Sequence, residues 1–249
     1  DPQYGYQLCA SSDAVYATGS VAGGPVDFDG TQVAVSGSRD AVVMKLDTMG
    51  NVIWATSAGG PGAFGDDFEA GRLICYDEGS GIIFTTGQFS STPSTFGNYQ
   101  LNAYSNTANV YVGALNDGGQ WLWVQQVLGL QMYMRAMFVD DMGFTVVAGN
   151  SPYGAIFSFA PPVNLPEGGF LAKYDALGTL LSAERVVTNG YIGDIKSDNG
   201  SNYIAGDVSA GGALYSTSIT AINGARTGFV AKTDALGSVD WITTIGGAD

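Results

Sequence analysis

The sequence predicts an all-β fold, and three observations support this prediction. Short runs of β-branched and aromatic residues alternate with turns rich in Gly, Ser, Asn and Asp along the chain. No segment sustains an apolar period of 3.6 residues with helix caps. The stretch GGFLAKYDALGTLL from Gly168 returns 59 residues later as TGFVAKTDALGSVD from Thr227, with eight of fourteen positions identical. An internal repeat of this length is typical of an array or a propeller.

The repeat can be traced four times, at spacings of 69, 59 and 59 residues. Four sets of positions correspond between the copies: Lys45, Ala114, Lys173 and Lys232; Asp47, Asn116, Asp175 and Asp234; Gly50, Gly119, Gly178 and Gly237; and Trp54, Trp123, Ser182 and Trp241. Each copy is too short to bury its own faces, so it needs a neighbouring copy on either side.

Each copy contains four predicted strands in the same order. The first strand is indicated by YQLCAS, RLICYD, RAMFVD and DIKSD, and the second by AVYATGS, GIIFTTGQ, FTVVAGN and NYIAGD. A loop of roughly twenty residues follows, then the FVAKxD strand, a D-x-x-G turn suited to a tight hairpin, and the fourth strand. Four antiparallel strands make one propeller blade. We therefore predict a single β-propeller of four blades, with approximate bounds 1–64, 65–130, 131–190 and 191–249.

The two ends of the sequence have the same phase in the repeat. Joined end to start, GGAD and DPQYGYQLC resemble the linker between the first two copies. We expect the ends to lie where consecutive blades meet. A closed ring of four blades is favoured, because an open stack would expose two blade faces. The alternative is a four-blade part of a larger propeller.

Composition limits the classes of partner. Only 9 Lys and Arg oppose 23 Asp and Glu, giving a formal net charge of −14, which disfavours nucleic acid and anionic lipid as partners. No run of about 18 apolar residues is present, so membrane insertion is not expected. Low lysine content and loops rich in glycine and hydroxyl groups suggest a secreted or cell-surface location.

A family resemblance covers essentially the whole chain. The segments VYATGS, VDFDG, AVVMKLDTMGNVIWATSAGG and GGFLAKYDALGTLL resemble the SBBP-type β-propeller repeat of bacterial secreted and surface proteins. The resemblance is strong in copies one and four, partial in copy three, which lacks the Trp, and weakest in copy two, which lacks the Lys. It implies a propeller fold in an exported, adhesive or surface-associated bacterial protein. It implies no catalytic residues.

Candidate catalytic and metal-binding residues are few. Histidine is absent, which excludes the Ser-His-Asp and Cys-His arrangements and the usual zinc ligand. Paired acids occur at Asp27 and Asp29, Asp66 and Asp67, and Asp140 and Asp141, each in or beside a turn, where Asp bonds its own backbone. Asp27 and Asp29 in DFDG form a fragment of a calcium loop and are the only metal candidates, with a plain turn as the alternative. We predict no enzymatic activity and no other cofactor.

The repeated Lys and Trp positions favour a structural role. We expect the Lys stems to pack between blades with the ammonium groups near acidic turns, and the Trp rings to pack in the same way. Cys9 and Cys75 occupy similar places in the first strands of copies one and two. A disulfide between them is possible if the two Cα atoms lie within about 7 Å, and buried thiols are the alternative.

The long loops are the candidates for recognition. Their aromatic residues are expected to be exposed and to contact a partner: Phe96, Tyr99, Tyr104, Tyr153, Phe157 and Phe159. The leading hypothesis is a structural or adhesive module that binds copies of itself or other surface proteins, with assembly into an extracellular polymer as one form of this role. The alternatives are a lectin-like glycan binder and, third, a hydrolase that uses paired carboxylates.

Overall fold

The computed structural model describes residues 3–61, 69–104, 109–158, 160–221 and 226–246. All regular secondary structure in these ranges is β, the sheets are antiparallel, and none of them closes on itself. The predicted all-β class is therefore confirmed. No helix that could cross a lipid bilayer occurs in the described part of the chain.

Two compact units make up the molecule. The first comprises Asp1–Leu128 together with Ala176–Thr179, and the second comprises Gly129–Asp175 and Leu180–Asp249. Each unit contains two copies of the repeat, apart from the short segment Ala176–Thr179 that the first unit takes from the third copy.

The first copy forms a four-stranded sheet and a small ribbon. Its strands are β1 (Tyr4–Ala10), β2 (Ala14–Ala22), β3 (Val26–Phe28), β4 (Thr31–Val33), β5 (Arg39–Asp47) and β6 (Val52–Ala58). The sheet order is β1-β2-β5-β6, so neighbours in sequence are neighbours in the sheet, and β3 pairs with β4 in the loop.

The second copy has the same plan. Its strands are β7 (Ala70–Asp77), β8 (Ile82–Phe89), β9 (Ser94–Phe96), β10 (Tyr99–Leu101), β11 (Asn109–Leu115) and β12 (Trp121–Leu128). Strands β7, β8, β11 and β12 pair in that order, and β9 pairs with β10. The ribbon joins the first copy through mutual backbone hydrogen bonds between Gly59 and Thr95, with N to O distances of 3.1 and 2.7 Å.

The third and fourth copies share one long strand. The third comprises β13 (Tyr133–Val139), β14 (Thr145–Ser151), β15 (Ala155–Phe157), β16 (Val163–Leu165), β17 (Gly168–Tyr174) and the first part of β18 (Leu180–Asp198). The fourth comprises the rest of β18, then β19 (Ser201–Leu214), β20 (Thr217–Ser218), β21 (Thr227–Asp234) and β22 (Val239–Ile245). Residues 180–187 of β18 pair with β17, and residues 187–198 pair with β19. The last strand of one copy thus continues as the first strand of the next.

The turns between third and fourth strands are built alike in the first, second and fourth copies. In the first, Oδ1 of Asp47 accepts the backbone N–H groups of Met49 at 2.9 Å and Asn51 at 2.8 Å. These bonds and the amide of Asn51 lower the pKa of Asp47. Gly50 has φ of +88°, a left-handed conformation that glycine adopts without strain. Asn116 and Asp234 accept the equivalent pairs of N–H groups in their own turns.

Each unit has its own apolar core. In the first unit the ring of Phe96 lies 4.8 Å from that of Tyr111 and 5.2 Å from that of Trp121, centroid to centroid. In the second unit the core includes Ile192, Ile195, Ile204, Val208 and Phe229. Along their strands these residues are flanked by less buried ones, as expected for a sheet with one face in the apolar core.

Candidate functional site

A row of three directly opposed residues crosses the sheet of every copy at the same register. We call each row a triplet, taken from the second, third and fourth strands. The triplets are Tyr16–Lys45–Trp54, Phe84–Ala114–Trp123, Val146–Lys173–Ser182 and Tyr203–Lys232–Trp241. Because cross-strand neighbours at one register lie on the same sheet face, each triplet presents a single surface.

The first triplet binds the D-x-x-G turn of the second copy. Lys45 Nζ donates to both carboxylate oxygens of Asp117, at 2.6 and 2.7 Å, and the Tyr16 hydroxyl donates to Asp117 Oδ1 at 2.7 Å. Trp54 Nε1 donates to the backbone carbonyl of Asp117 at 2.9 Å. A Cβ at Gly119 would lie 2.8 Å from the Trp54 ring, so only glycine allows this approach.

The electrostatics of this contact follow from its geometry. The hydrogen bonds from Lys45 and Tyr16 lower the pKa of Asp117. Burial, together with the bond to Asp117, raises the pKa of Tyr16. Asp117 therefore remains ionised at neutral pH while it accepts hydrogen bonds from both Tyr16 and Lys45. The Lys45 side chain is only 12% exposed, which makes this carboxylate its main source of compensation.

The second triplet binds a turn without using charge. Ala114 stands in place of the lysine, and Trp123 Nε1 donates to the carbonyl of Ala176 at 2.9 Å. A Cβ at Gly178 would lie 2.5 Å from the Trp123 ring. The tryptophan-to-carbonyl bond and the glycine against the ring thus recur, and only the ionic part of the contact is missing. Trp123 is 6% exposed as a result.

The third triplet lacks the indole, and a cavity lies there. Val146, Lys173 and Ser182 line a cavity of about 380 Å³ together with Glu184 and Tyr215; we call it the Ser182 cavity. The ring of Tyr215 covers the turn glycine instead, since a Cβ at Gly237 would lie 2.6 Å from it. The volume is in the range of small-molecule sites.

Charged groups surround the Ser182 cavity. Lys173 Nζ lies 2.7 Å from Asp140 Oδ2, and Asp140 and Asp141 also line the cavity. Burial raises the pKa of Glu184, and the nearby Lys173 opposes that rise. Asp141 accepts the backbone N–H of Gly200 at 2.6 Å. Asp140 Oδ1 also accepts the backbone N–H groups of Met142 and Phe144, both at 3.0 Å, as the turn interpretation predicts. Asp141 differs, because its bond is to a residue 59 positions away along the chain.

The fourth triplet is exposed. Tyr203 is 38% exposed and Trp241 is 43% exposed, whereas Tyr16 in the first triplet is fully buried. Lys232 Nζ lies 2.9 Å from Asp240 Oδ2 on the neighbouring strand. The bond to Asp240 raises the pKa of Lys232. The fourth triplet therefore has the same side chains as the first, with a carboxylate supplied from its own sheet.

Lys45, Trp54 and Trp123 have the packing role expected from the sequence. In the fourth copy the expectation fails, since Trp241 is 43% exposed and Lys232 pairs with a carboxylate on a strand. Lys45 meets an acidic turn, and the rings of Trp54 and Trp123 pack on turn glycines. Sequence reasoning missed Tyr16 and Asp117. A signal for the tyrosine exists, because Tyr16 and Tyr203 occupy the same position relative to the repeated lysine.

The predicted loop aromatics divide into two groups. Tyr99, Tyr104 and Tyr153 are exposed, and the Tyr99 hydroxyl donates to the carbonyl of Leu122. Phe96 and Phe157 are 0% and 2% exposed, so the expectation that these two rings are exposed is wrong. Each ring packs against an aromatic side chain outside its ribbon, Trp121 and Phe170 respectively. Phe159 lies outside the described residues, as do Asp66 and Asp67.

Of the calcium candidates, Asp27 lies in β3 and Asp29 lies in the turn that joins β3 to β4. Asp27 Oδ1 accepts the backbone N–H of Gly30 at 2.7 Å, and Asp29 adopts φ of +50°. Among the described residues no group of three or more His, Cys, Asp or Glu side chains is placed to hold a metal ion. Calcium binding at Asp27 and Asp29 stays a prediction.

The two cysteines are free thiols in half-buried positions. Burial raises the pKa of Cys9 to about 12 and also raises that of Cys75. The strands that contain them are adjacent, since the backbone N–H of Ile74 donates to Gln7 Oε1 at 2.6 Å. A disulfide between Cys9 and Cys75 remains a prediction.

Comparisons with known proteins assign no family to the chain. No protein-family model matches it, and no curated protein matches it. Among solved structures, a protein of unknown function from Bacteroides caccae, determined at 1.35 Å, is 10% identical with a TM-score of 0.30. That match covers 92% of this chain and 94% of the other. A likeness at this level carries no argument about fold or function.

Proposed function

We propose that the protein is a non-enzymatic structural or adhesive module of four propeller-type blades, which acts by binding other protein surfaces. The SBBP-like segments and the neutral, glycine-rich loops support an extracellular role, with copies of itself or other surface proteins as partners. The high net negative charge supports a protein or glycan partner over nucleic acid.

One observation supports this proposal above the others. The same contact, an aromatic triplet holding a glycine turn, joins successive repeats, and the fourth triplet remains exposed. Tyr and Trp exposed together beside an ion pair have the composition of a protein-binding hot spot. The equivalent triplet in the first copy is buried against a turn, so the exposed fourth triplet is suited to bind a protein surface of similar form.

Association can be measured on the purified chain. We expect the mass from light scattering and sedimentation to rise with concentration, and electron microscopy of concentrated samples to show ordered assemblies. A chain that stays monomeric at high concentration and binds no cell-surface material would contradict the proposal.

A second candidate function is lectin-like binding of a small polyhydroxylated ligand in the Ser182 cavity. Three carboxyl groups, an ammonium group and a tyrosine converge on a volume large enough for a sugar. Polar groups of this kind exchange hydrogen bonds with sugar hydroxyls.

This candidate can be tested by glycan screening followed by calorimetry. We expect Ser182→Trp to remove binding because the indole would fill the cavity, while Gln32→Trp, at an exposed ribbon position of the first unit, leaves binding unchanged. Equal affinity of the Ser182→Trp variant would exclude this cavity as the glycan site.

A further inference from the structure

Among the described residues, the turn of the first copy has no triplet packed on it, and the triplet of the fourth copy has no turn packed on it. At Gly119, Gly178 and Gly237, a Cβ would strike an aromatic ring at 2.8, 2.5 and 2.6 Å, whereas at Gly50 it would meet no atom within 4 Å. The fourth triplet has no such glycine on its exposed rings among the described residues. In the contact between a triplet and a turn, the turn Asp47–Gly50 is thus a free turn. The fourth triplet is a free binding surface for such a turn, which we call the socket.

We propose that the fourth triplet of one molecule binds the Asp47–Gly50 turn of a second copy, head to tail. This inference rests on the proposed function and names its partner and its two surfaces. The contact joins two different surfaces, so every molecule that binds one copy still offers a free turn and a free socket. Such a heterologous contact extends into chains or closes into rings of several molecules.

The backbone of the free turn has the form that the occupied triplets bind. Asp47 and Asn116 each accept the N–H groups two and four residues later, and Gly50 and Gly119 have φ of +88° and +78°. By equivalence with Asp117 and Ala176, the carbonyl of Thr48 would accept the indole N–H of Trp241 in the second molecule. Gly50 would lie on the indole face.

Charge selects this turn over an acidic one. Among the described residues, Lys45 pairs with no carboxylate of its own sheet. It binds a turn with an acid at its second position, Asp117. Lys232 is already paired with Asp240 at 2.9 Å, and the free turn has the neutral Thr48 at its second position. An acidic turn would place a second carboxylate beside Asp240, and two neighbouring carboxylates repel each other. The fourth triplet therefore matches the neutral turn of the first copy.

The first experiment weakens each surface separately in the full chain. Trp241→Ala removes the indole from the socket, and Thr48→Asp adds a carboxylate to the turn. We expect each variant to lower the association constant by about 10-fold or more. For Trp241→Ala the reason is that truncating a central interface tryptophan commonly has that effect. For Thr48→Asp the reason is repulsion between the new carboxylate and Asp240. Leu122→Ala, which shortens another exposed apolar side chain, is the matched control and should associate as the native chain does. Circular dichroism checks that the variants are folded.

Mixing and rescue identify the surfaces as partners. The Trp241→Ala chain retains a turn and the Thr48→Asp chain retains a socket, so a mixture should form one-to-one dimers when neither chain associates alone. Asp240→Asn alone leaves Lys232 unpaired and should weaken association. Combined with Thr48→Asp, it recreates the Lys45–Asp117 arrangement and should restore association. Restoration of this kind cannot arise from misfolding.

The outcomes separate this inference from the proposed function. If the native chain associates but Trp241→Ala and Thr48→Asp associate equally well, the head-to-tail contact is wrong while the structural role stands. If the native chain never associates and Trp241 is shielded from solvent in the monomer, the fourth triplet is covered by the same chain and not by a second copy. That result overturns the inference. Binding of an unrelated surface protein by the monomer alone would leave only the proposed function.

Discussion

At the scale of single residues, Glu69 is unusual because its carboxyl group is fully buried. Its Oε1 accepts the backbone N–H groups of Ser90 at 3.2 Å and Ser91 at 2.8 Å, whereas no described group bonds Oε2. Burial raises the pKa of this carboxyl above its usual range. The first copy performs the same task with Gln3, whose amide bonds the N–H and carbonyl of Ala22 at 2.9 and 3.0 Å.

We expect Glu69→Gln to stabilise the protein at neutral pH by about 1–2 kcal/mol, since it removes a buried charge and keeps the acceptor. A raised pKa in the folded state means that ionisation opposes folding, so the native protein loses stability as pH rises through the folded-state pKa. The advantage of the variant should therefore grow as pH rises from about 4, the usual range of a glutamate pKa, through the raised folded-state pKa. Urea unfolding at several pH values measures this. The reciprocal variant Gln3→Glu should be destabilising, and a stabilising effect would refute the argument.

The turn glycines allow a second comparison between matched positions. Gly119→Ala and Gly50→Ala impose similar left-handed backbone strain, because the two residues have φ of +78° and +88°. Only at Gly119 would the new Cβ collide with Trp54. We expect the Gly119 variant to lose about 1–3 kcal/mol more than the Gly50 variant in the free energy of unfolding. Equal losses would mean that the Trp54 contact is not tight.

At the scale of elements, the first contact between copies depends on one carboxylate. The pKa of Asp117 is lowered by its bonds to Lys45 and Tyr16, so its contribution to stability is present at neutral pH and is lost as pH falls through the folded-state pKa. Asp117→Asn should cost about 1 kcal/mol at pH 7, a modest value because the side chain is 53% exposed. At a pH below the folded-state pKa of Asp117, the variant and the native chain should differ little.

A double-mutant cycle assigns this energy to the ion pair. Lys45→Met and Asp117→Asn should be less than additive when combined, because either change alone removes the same interaction. Strict additivity would show that the two residues act separately in spite of the 2.6 Å contact.

The strands and hairpin turns of each copy could be predicted from the sequence because local chemistry specifies them. Asp47 and Gly50 are sufficient to indicate a tight turn, and the alternating runs indicate strands. The ribbons β3–β4, β9–β10 and β15–β16 were not predicted, because their three-residue strands are too short to show a period of two. The fusion of two predicted strands into β18 also depends on pairing with β17 and β19, which sequence pattern alone does not reveal.

The candidate site was predicted in part. The repeated Lys and Trp were found by aligning the copies, but the choice of Asp117 as partner was not, since its position holds Thr48, Ala176 and Ala235 in the other copies. The Ser182 cavity likewise depends on where the ring of Tyr215 lies, and that residue falls outside the aligned segments. Contacts between copies are long-range, so spacing along the chain does not fix them.

At the scale of the whole molecule, the net charge of −14 opposes compactness through mutual repulsion of carboxylates. Salt shortens the Debye length from about 30 Å at 0.01 M to about 8 Å at 0.15 M. We therefore expect the unfolding temperature, and any self-association, to increase over this range. Differential scanning calorimetry and sedimentation measure the two effects. A falling unfolding temperature would indicate that attractive pairs such as Arg226 with Asp207, 2.7 Å apart, outweigh the repulsion.

The shared strand β18 limits how a chain of this kind can be lengthened or shortened. Residues 180–187 complete one copy and residues 187–198 begin the next without a turn between them. A genetic deletion or duplication with a breakpoint inside this strand would leave either β17 or β19 without its partner strand. Recombination that preserves folding must therefore gain or lose the third and fourth copies together, as a single heritable block.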